Sequence, residues 1–174
     1  MCGIFGAVAL AGGPLHHPEC LARMAESLRH RGPDGERIVG HESARIGARR
    51  LAIMDLTTGE QPFQSPDRAV WMVCNGEIYN SPDLRREATG WGYPFRSRGD
   101  IENIVPFYER YGDGVVDRLD GMFGLAIWAT AAGASSWRAI ERARNRSSGH
   151  AWTARSVSRP RSKRCSRSPT NRAA

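Results

Sequence analysis

The second residue of the chain is a cysteine, and its position next to the start methionine gives it a chemistry that an internal cysteine lacks. Once Met1 is removed, Cys2 carries a thiol nucleophile and a free α-amine on one residue. A free α-amine titrates near neutrality, at about 7.7–8, so it can move the proton of a neighbouring thiol during attack on a carbonyl. Gly3 lets the backbone approach a substrate closely, and Ile4, Phe5, Ala7 and Val8 read as a buried strand that would hold the terminus in place.

Four further stretches carry groups suited to acting with such a nucleophile. Asn75-Gly76 follows the apolar run Val70 to Cys74. It fits a tight hairpin turn that ends a strand, and equally a pair of donors, the Asn amide and the Gly N–H, able to hold a developing oxyanion. Arg49 and Arg50 close another strand pattern, and either guanidinium can grip a carboxylate through two parallel bonds or lie solvated at a strand edge. Asp100 precedes the apolar-periodic segment of Ile101, Ile104, Val105 and Tyr108. It fits a helix N-cap with a second oxygen to spare for a ligand. In Arg29-His30-Arg31-Gly32-Pro33-Asp34-Gly35 three basic side chains stand beside an aspartate, which suits a helix end with its turn or a loop closing over an anionic or zwitterionic ligand.

The elements that must position these residues can be read in outline. After the first strand and a Gly12-Gly13-Pro14 turn, Leu21, Met24, Ala25 and Leu28 at helical spacing predict a helix with one apolar face. Residues 36–40 and 44–48 read as short strands, and residues 57–66 as a polar loop. A helix capped by Ser81 and begun by Pro82 is expected to stop at Gly90, with a strand over residues 93–97. Pro106 predicts a kink in the next helix. Residues 112–120 read as a short helix and turn, and residues 121–128 as a further apolar strand.

Composition bounds the rest. The 174 residues with 40% hydrophobic content suit one domain with a real core. No apolar run reaches the roughly 18 residues of a membrane span, and the first basic residue is Arg23, so a cytoplasmic protein without a membrane partner is expected. Cys2, Cys20, Cys74 and Cys165 form no Cys-x-x-Cys pair and the five histidines show no ligand spacing, so neither a disulfide framework nor a metal site is expected. The net charge of +7 is divided unevenly, for residues 1–134 hold 14 arginines against 17 acidic residues, whereas residues 135–174 hold 11 basic residues and one acidic. Clustered arginine would give salt-dependent, sequence-blind nucleic-acid binding, but only Trp137 and Trp152 supply aromatics there, and nucleic acid is not the expected partner.

Taken together, in order and spacing, Met1-Cys2-Gly3-Ile4-Phe5-Gly6, Arg29-His30-Arg31-Gly32-Pro33-Asp34, Arg50-Leu51-Ala52-Ile53-Met54-Asp55, Asn75-Gly76-Glu77-Ile78-Tyr79-Asn80, Arg98-Gly99-Asp100 and Leu119-Asp120-Gly121-Met122-Phe123 resemble the glutaminase domain of the glutamine-dependent asparagine synthetases. The resemblance spans residues 1 to about 128. It implies an α+β fold, the four-layer αββα sandwich of the N-terminal-nucleophile hydrolases, incomplete at its C-terminal end. It also implies roles: Cys2 attacks the side-chain amide of glutamine, Asn75 and Gly76 hold the oxyanion, and Arg50 takes the α-carboxylate. Glu77 and Asp100 take the α-ammonium, and the backbone around Ile53 and Met54 lines the pocket. No cofactor is implied for this chain. ATP and Mg²⁺ belong to the synthetase domain of the family, which would use the ammonia and could be a separate domain or chain.

Beyond Trp128 the resemblance breaks off and the chain turns rich in Arg and Ser. Residues 129–174 are expected to be a disordered basic tail read out of frame. Trp137-Arg138-Ala139-Ile140-Glu141 can be written in codons that, read one base earlier, give Leu-Ala-Arg-Asp. The same shift turns Arg161-Ser162-Lys163-Arg164-Cys165 into Glu-Ile-Lys-Ala-Leu. Both are family strings in the family's order. Two alternatives accompany this reading: an inactive fragment of the same enzyme, and a nucleic-acid binder acting through the tail.

Overall fold

A computed structural model describes residues 2–9, 14–15, 19–53, 55–131 and 134–143. They form two antiparallel sheets packed face to face, with helices on both outer sides, the expected αββα layering.

The first sheet has the order β1-β3-β2, from β1 (Gly3–Val8), β2 (Gly35–Gly40) and β3 (Ala44–Arg50). β1 pairs with β3 so that Gly3 faces Arg49 and Phe5 faces Gly47. That register sets Cys2 at the end of the sheet, beside Arg50. Helix α1 (Glu19–Ser27) covers the outer face with its apolar side, burying Leu21 and Ala25. Gly3 is required there, since a Cβ would stand 2.9 Å from the Leu28 Cβ.

The second sheet has the order β4-β5-β6-β7, from β4 (Phe63–Gln64), β5 (Val70–Ile78), β6 (Gly121–Ala131) and β7 (Ala134–Ala143). Its central strands alternate between two buried faces. Val73, with the flanking Trp71 and Ala126, meets Ile46, Ala48 and Ile4 of the first sheet. Met72, Cys74, Leu125 and Ile127 instead join the larger cluster under α2 (Ser81–Gly90) and α3 (Ile104–Tyr111), where Phe107, Ile104 and Val105 are fully buried.

Several expectations are corrected. β5 does not stop at Asn75-Gly76 but runs through to Ile78, paired with β6 along its whole length, so the hairpin reading fails. The N-cap position of α2 is Asn80 and no side chain caps it. Asn80 instead bonds Arg118 O and Asp120 N, tying the helix start to the turn before β6, while Ser81 Oγ accepts from Asn103 Nδ2 at 2.8 Å. Residues 93–97 form no strand, because their amides are spent locally: Tyr93 N donates to Ala88 O and Phe95 N to Tyr93 O, while the buried Glu102 accepts from Arg96 N and Ser97 N. The break expected at Pro106 falls earlier, where a 3-10 turn at Ile101–Asn103 passes into α3. Pro106 thus occupies the first turn of α3, where a missing N–H costs nothing. Finally, β6 continues past Trp128 to Ala131, and β7 pairs with it from Ala131↔Ala134 to Met122↔Ala143. Residues 144–174 of the expected tail lie outside the described residues.

Candidate active site

A cleft of about 460 Å³ opens where the two sheets meet at the Cys2 end. Cys2, Arg50, Ile53, Asn75, Gly76, Glu77 and Asp100 all line it, although they come from four separate parts of the chain. Met54 lies outside the described residues. The Arg29–Gly35 stretch does not line the cleft; it braces the strand that does. Gly32 lies so close to β3 that a Cβ would stand 2.3 Å from the Arg49 carbonyl. Asp34 N donates to Arg50 O at 3.0 Å and Asp34 Oδ2 accepts from Ala52 N at 2.8 Å.

The two arginines separate cleanly. Arg49 is spent on structure: its Nε donates to Ala25 O at 3.0 Å and its Nη2 pairs with Glu36 at 2.7 Å, with the side chain only 13% exposed. Arg50 faces the cleft, its guanidinium donating to the backbone oxygens of Asp55 and Leu56.

Cys2 is half-buried, its Sγ 3.8 Å from Leu51 O. Across the cleft, Asn75 and Gly76 sit mid-strand. Gly76 has φ +146°, and a Cβ would stand 2.0 Å from Met122 O, so only glycine lets β5 pass β6 here. Asp100 occupies the position before the 3-10 turn, but its carboxylate makes no capping bond. Its Oδ2 instead accepts from Ile78 N at 2.8 Å, which ties the aspartate to β5 just beyond Glu77.

Cys74 also lines the cleft, from the core side. Burial above all, with Asp100 and Cys2 nearby, pushes its thiol well up, so it stays protonated and does not compete as a nucleophile. Its backbone N–H and C=O are both taken by the buried Gln61 side chain, at 2.6 and 2.8 Å.

Sequence reasoning missed Asp55 as a functional residue, although it closes the Arg50–Asp55 string. Its Oδ2 accepts from Arg98 N at 2.8 Å and Gly99 N at 3.1 Å, and its Oδ1 from Thr58 N at 3.0 Å and Thr58 Oγ1 at 2.8 Å. Partial burial works against its ionised form, but those donors outweigh it and hold the carboxyl down to about 2. No local pattern could have signalled a bond between residues 43 positions apart. Among the described residues no group of three or more His, Cys, Asp and Glu has the arrangement to hold a metal ion, and no helix is long and apolar enough to cross a membrane.

Comparison with known proteins places this geometry. Residues 1–139 match the family model of the glutamine amidotransferase domain. Asparagine synthetase [glutamine-hydrolyzing] 2 of Bacillus subtilis is 40% identical over 134 residues, covering 74% of this chain and 17% of that protein. The rice enzyme of the same name is 37% identical over 130 residues, covering 75% of this chain and 22% of that protein. The chain thus spans about a fifth of the length of these relatives. Among solved structures, the glutamine phosphoribosylpyrophosphate amidotransferase of B. subtilis superposes with a TM-score of 0.62 at 19% identity, over 78% of this chain and 36% of that one. That likeness is one of fold.

Proposed function

The chain belongs to the glutamine amidotransferase domain family, and on that premise we propose that it is the glutaminase portion of an asparagine synthetase, releasing from glutamine the ammonia that a synthetase domain or chain uses to amidate aspartate. The single observation that carries the reading is the convergence of Cys2, Arg50, Asn75, Gly76, Glu77 and Asp100 on one cleft.

In this reading Arg50 receives the α-carboxylate of glutamine, while Glu77 and Asp100 receive its α-ammonium, which leaves the side-chain amide directed at Cys2. The free amine of Cys2 takes the thiol proton as sulfur adds to the amide carbon. Asn75 Nδ2 and the Gly76 N–H hold the oxyanion as it forms. Collapse breaks the C–N bond, the protonated α-amine of Cys2 passes the thiol's proton to the departing nitrogen, and ammonia leaves behind a γ-glutamyl thioester. Water then adds to the thioester carbon, sulfur departs, and glutamate is released. These steps use no cofactor in this chain. ATP and Mg²⁺ would serve the synthetase domain, and the cytoplasm is the compartment that fits a free nucleophilic thiol.

The test is glutamate release from glutamine by the purified chain, with intact mass confirming loss of Met1. Hydrolysis that disappears in Cys2→Ala is the expected result; equal rates in variant and parent would sink the assignment.

A further inference from the structure

The cleft holds a device that the catalytic steps do not use. The loop of residues 97–100, which delivers Asp100, is gripped from two sides. On one side Arg85 of α2, its guanidinium 4.2 Å above the Phe95 ring, donates to Ser97 O at 3.0 Å and Gly99 O at 2.7 Å. On the other side the Asp55 carboxylate accepts from Arg98 N and Gly99 N. The Ser97 and Gly99 carbonyls thus go to a fixed cation, and the Arg98 and Gly99 amides to a fixed anion. Asp55 also reaches the opposite wall of the cleft, because its backbone oxygen accepts from the Arg50 guanidinium and from Gly59 N at 3.1 Å.

We propose that Asp55, backed by Arg85, is a positioning residue that sets the spacing between Arg50 and Asp100, and so fits the cleft to the carboxylate and ammonium of one α-amino acid. The inference rests on the glutaminase reading above, since Arg50 and Asp100 are there the two ends of the amino-acid clamp. A zwitterion whose charged groups share one carbon needs its two partners at a single separation, and a drift of an ångström on either side is enough to lose it. Asp55 touches neither the nucleophile nor the oxyanion donors, so it governs binding more than bond-making.

The experiment compares the full chain with Asp55→Asn and Arg85→Lys. Asp55→Asn keeps the shape but turns one acceptor into a donor facing N–H groups, and Arg85→Lys removes the paired grip from the other side. The expected result for Asp55→Asn is a KM for glutamine raised roughly tenfold with kcat lowered by less than about threefold, and a smaller KM rise for Arg85→Lys. Alkylation of Cys2 by iodoacetamide, which has no amino-acid end, should stay within about twofold of the parent, since the thiol itself is untouched. Exchange of the Gly99 amide should quicken in Asp55→Asn. A parent that hydrolyses glutamine, with both variants keeping its KM while Gly99 exchange rises, overturns the positioning role alone. If Asp55→Asn fails to fold, an unchanged KM in Arg85→Lys overturns it by itself. A folded parent whose Cys2 is open to iodoacetamide, but which hydrolyses no glutamine before alkylation, overturns the glutaminase reading, and the role of Asp55 with it.

Discussion

Gly76 shows how much of this site depends on what a single residue lacks. Its φ of +146° and the 2.0 Å approach of Met122 O to its missing Cβ leave no room for a side chain between β5 and β6. Gly76→Ala should therefore cost at least about 1–3 kcal/mol, read as a lowered midpoint in denaturant, and should cut glutaminase turnover by moving the oxyanion donors. Cys2→Ala is the opposite case: a half-buried side chain at a strand end, expected to abolish hydrolysis while leaving the melt unchanged. Arg50→Ala and Asp100→Ala should each raise KM for glutamine more than they lower kcat, and an unaltered KM would show that the residue binds nothing. The called residues that line the cleft could be singled out because each stands in a short string of distinctive types. Asp55, Gln61 and Arg85 were not, because what matters about them is a hydrogen bond to distant backbone, and sequence spacing does not encode it.

Elements were legible where periodicity had no competitor. α1 and the paired strands β2 and β3 follow their apolar spacing, whereas Asn75-Gly76 reads as a turn and lies within a strand because β6 supplies a partner on both sides of it. Residues 93–97 have strand-like composition, yet Glu102 captures the Arg96 and Ser97 amides and local backbone oxygens those of Tyr93 and Phe95. At this scale two outcomes are expected. Phe107 of α3 is fully buried in the larger cluster, its ring 4.7 Å from that of Trp91, so Phe107→Ala should destabilise by about 3–5 kcal/mol, measured by urea unfolding. The Asp55 carboxyl, held at about 2 in the folded chain, lies below its unfolded value near 4. Folding therefore favours the ionised form: the stability it contributes is full above about pH 4 and is lost as pH falls toward 2. Protection of the Arg98 and Gly99 amides should fall over that window before the core strands open, and Asp55→Asn should remove that loss of protection.

At the scale of the molecule, two buried layers share the work: the packing between the sheets holds the strands that bring Cys2 and Asn75 to one cleft, and the helical layer fixes β5 and the 97–100 loop from behind. The layering could be expected from the resemblance, but the end of the second sheet could not, because the residues beyond Trp128 carry neither the family strings nor an apolar period. β7 pairs there nonetheless, since a ladder is made by backbone groups that any sequence supplies. This separates two consequences of the proposed one-base slip. Every cleft residue precedes residue 128, so restoring the frame should leave KM for glutamine unaltered. The restored segment would replace residues whose charge was never selected for packing, and an edge strand that packs as well as pairs protects β6 better. We therefore expect the restored chain to melt higher than the chain carrying residues 129–174 as they stand, with the same KM. Resequencing that finds no base gained or lost after the Trp128 codon, together with a melting temperature unmoved by the exchange, would show that β7 is a native strand of the second sheet.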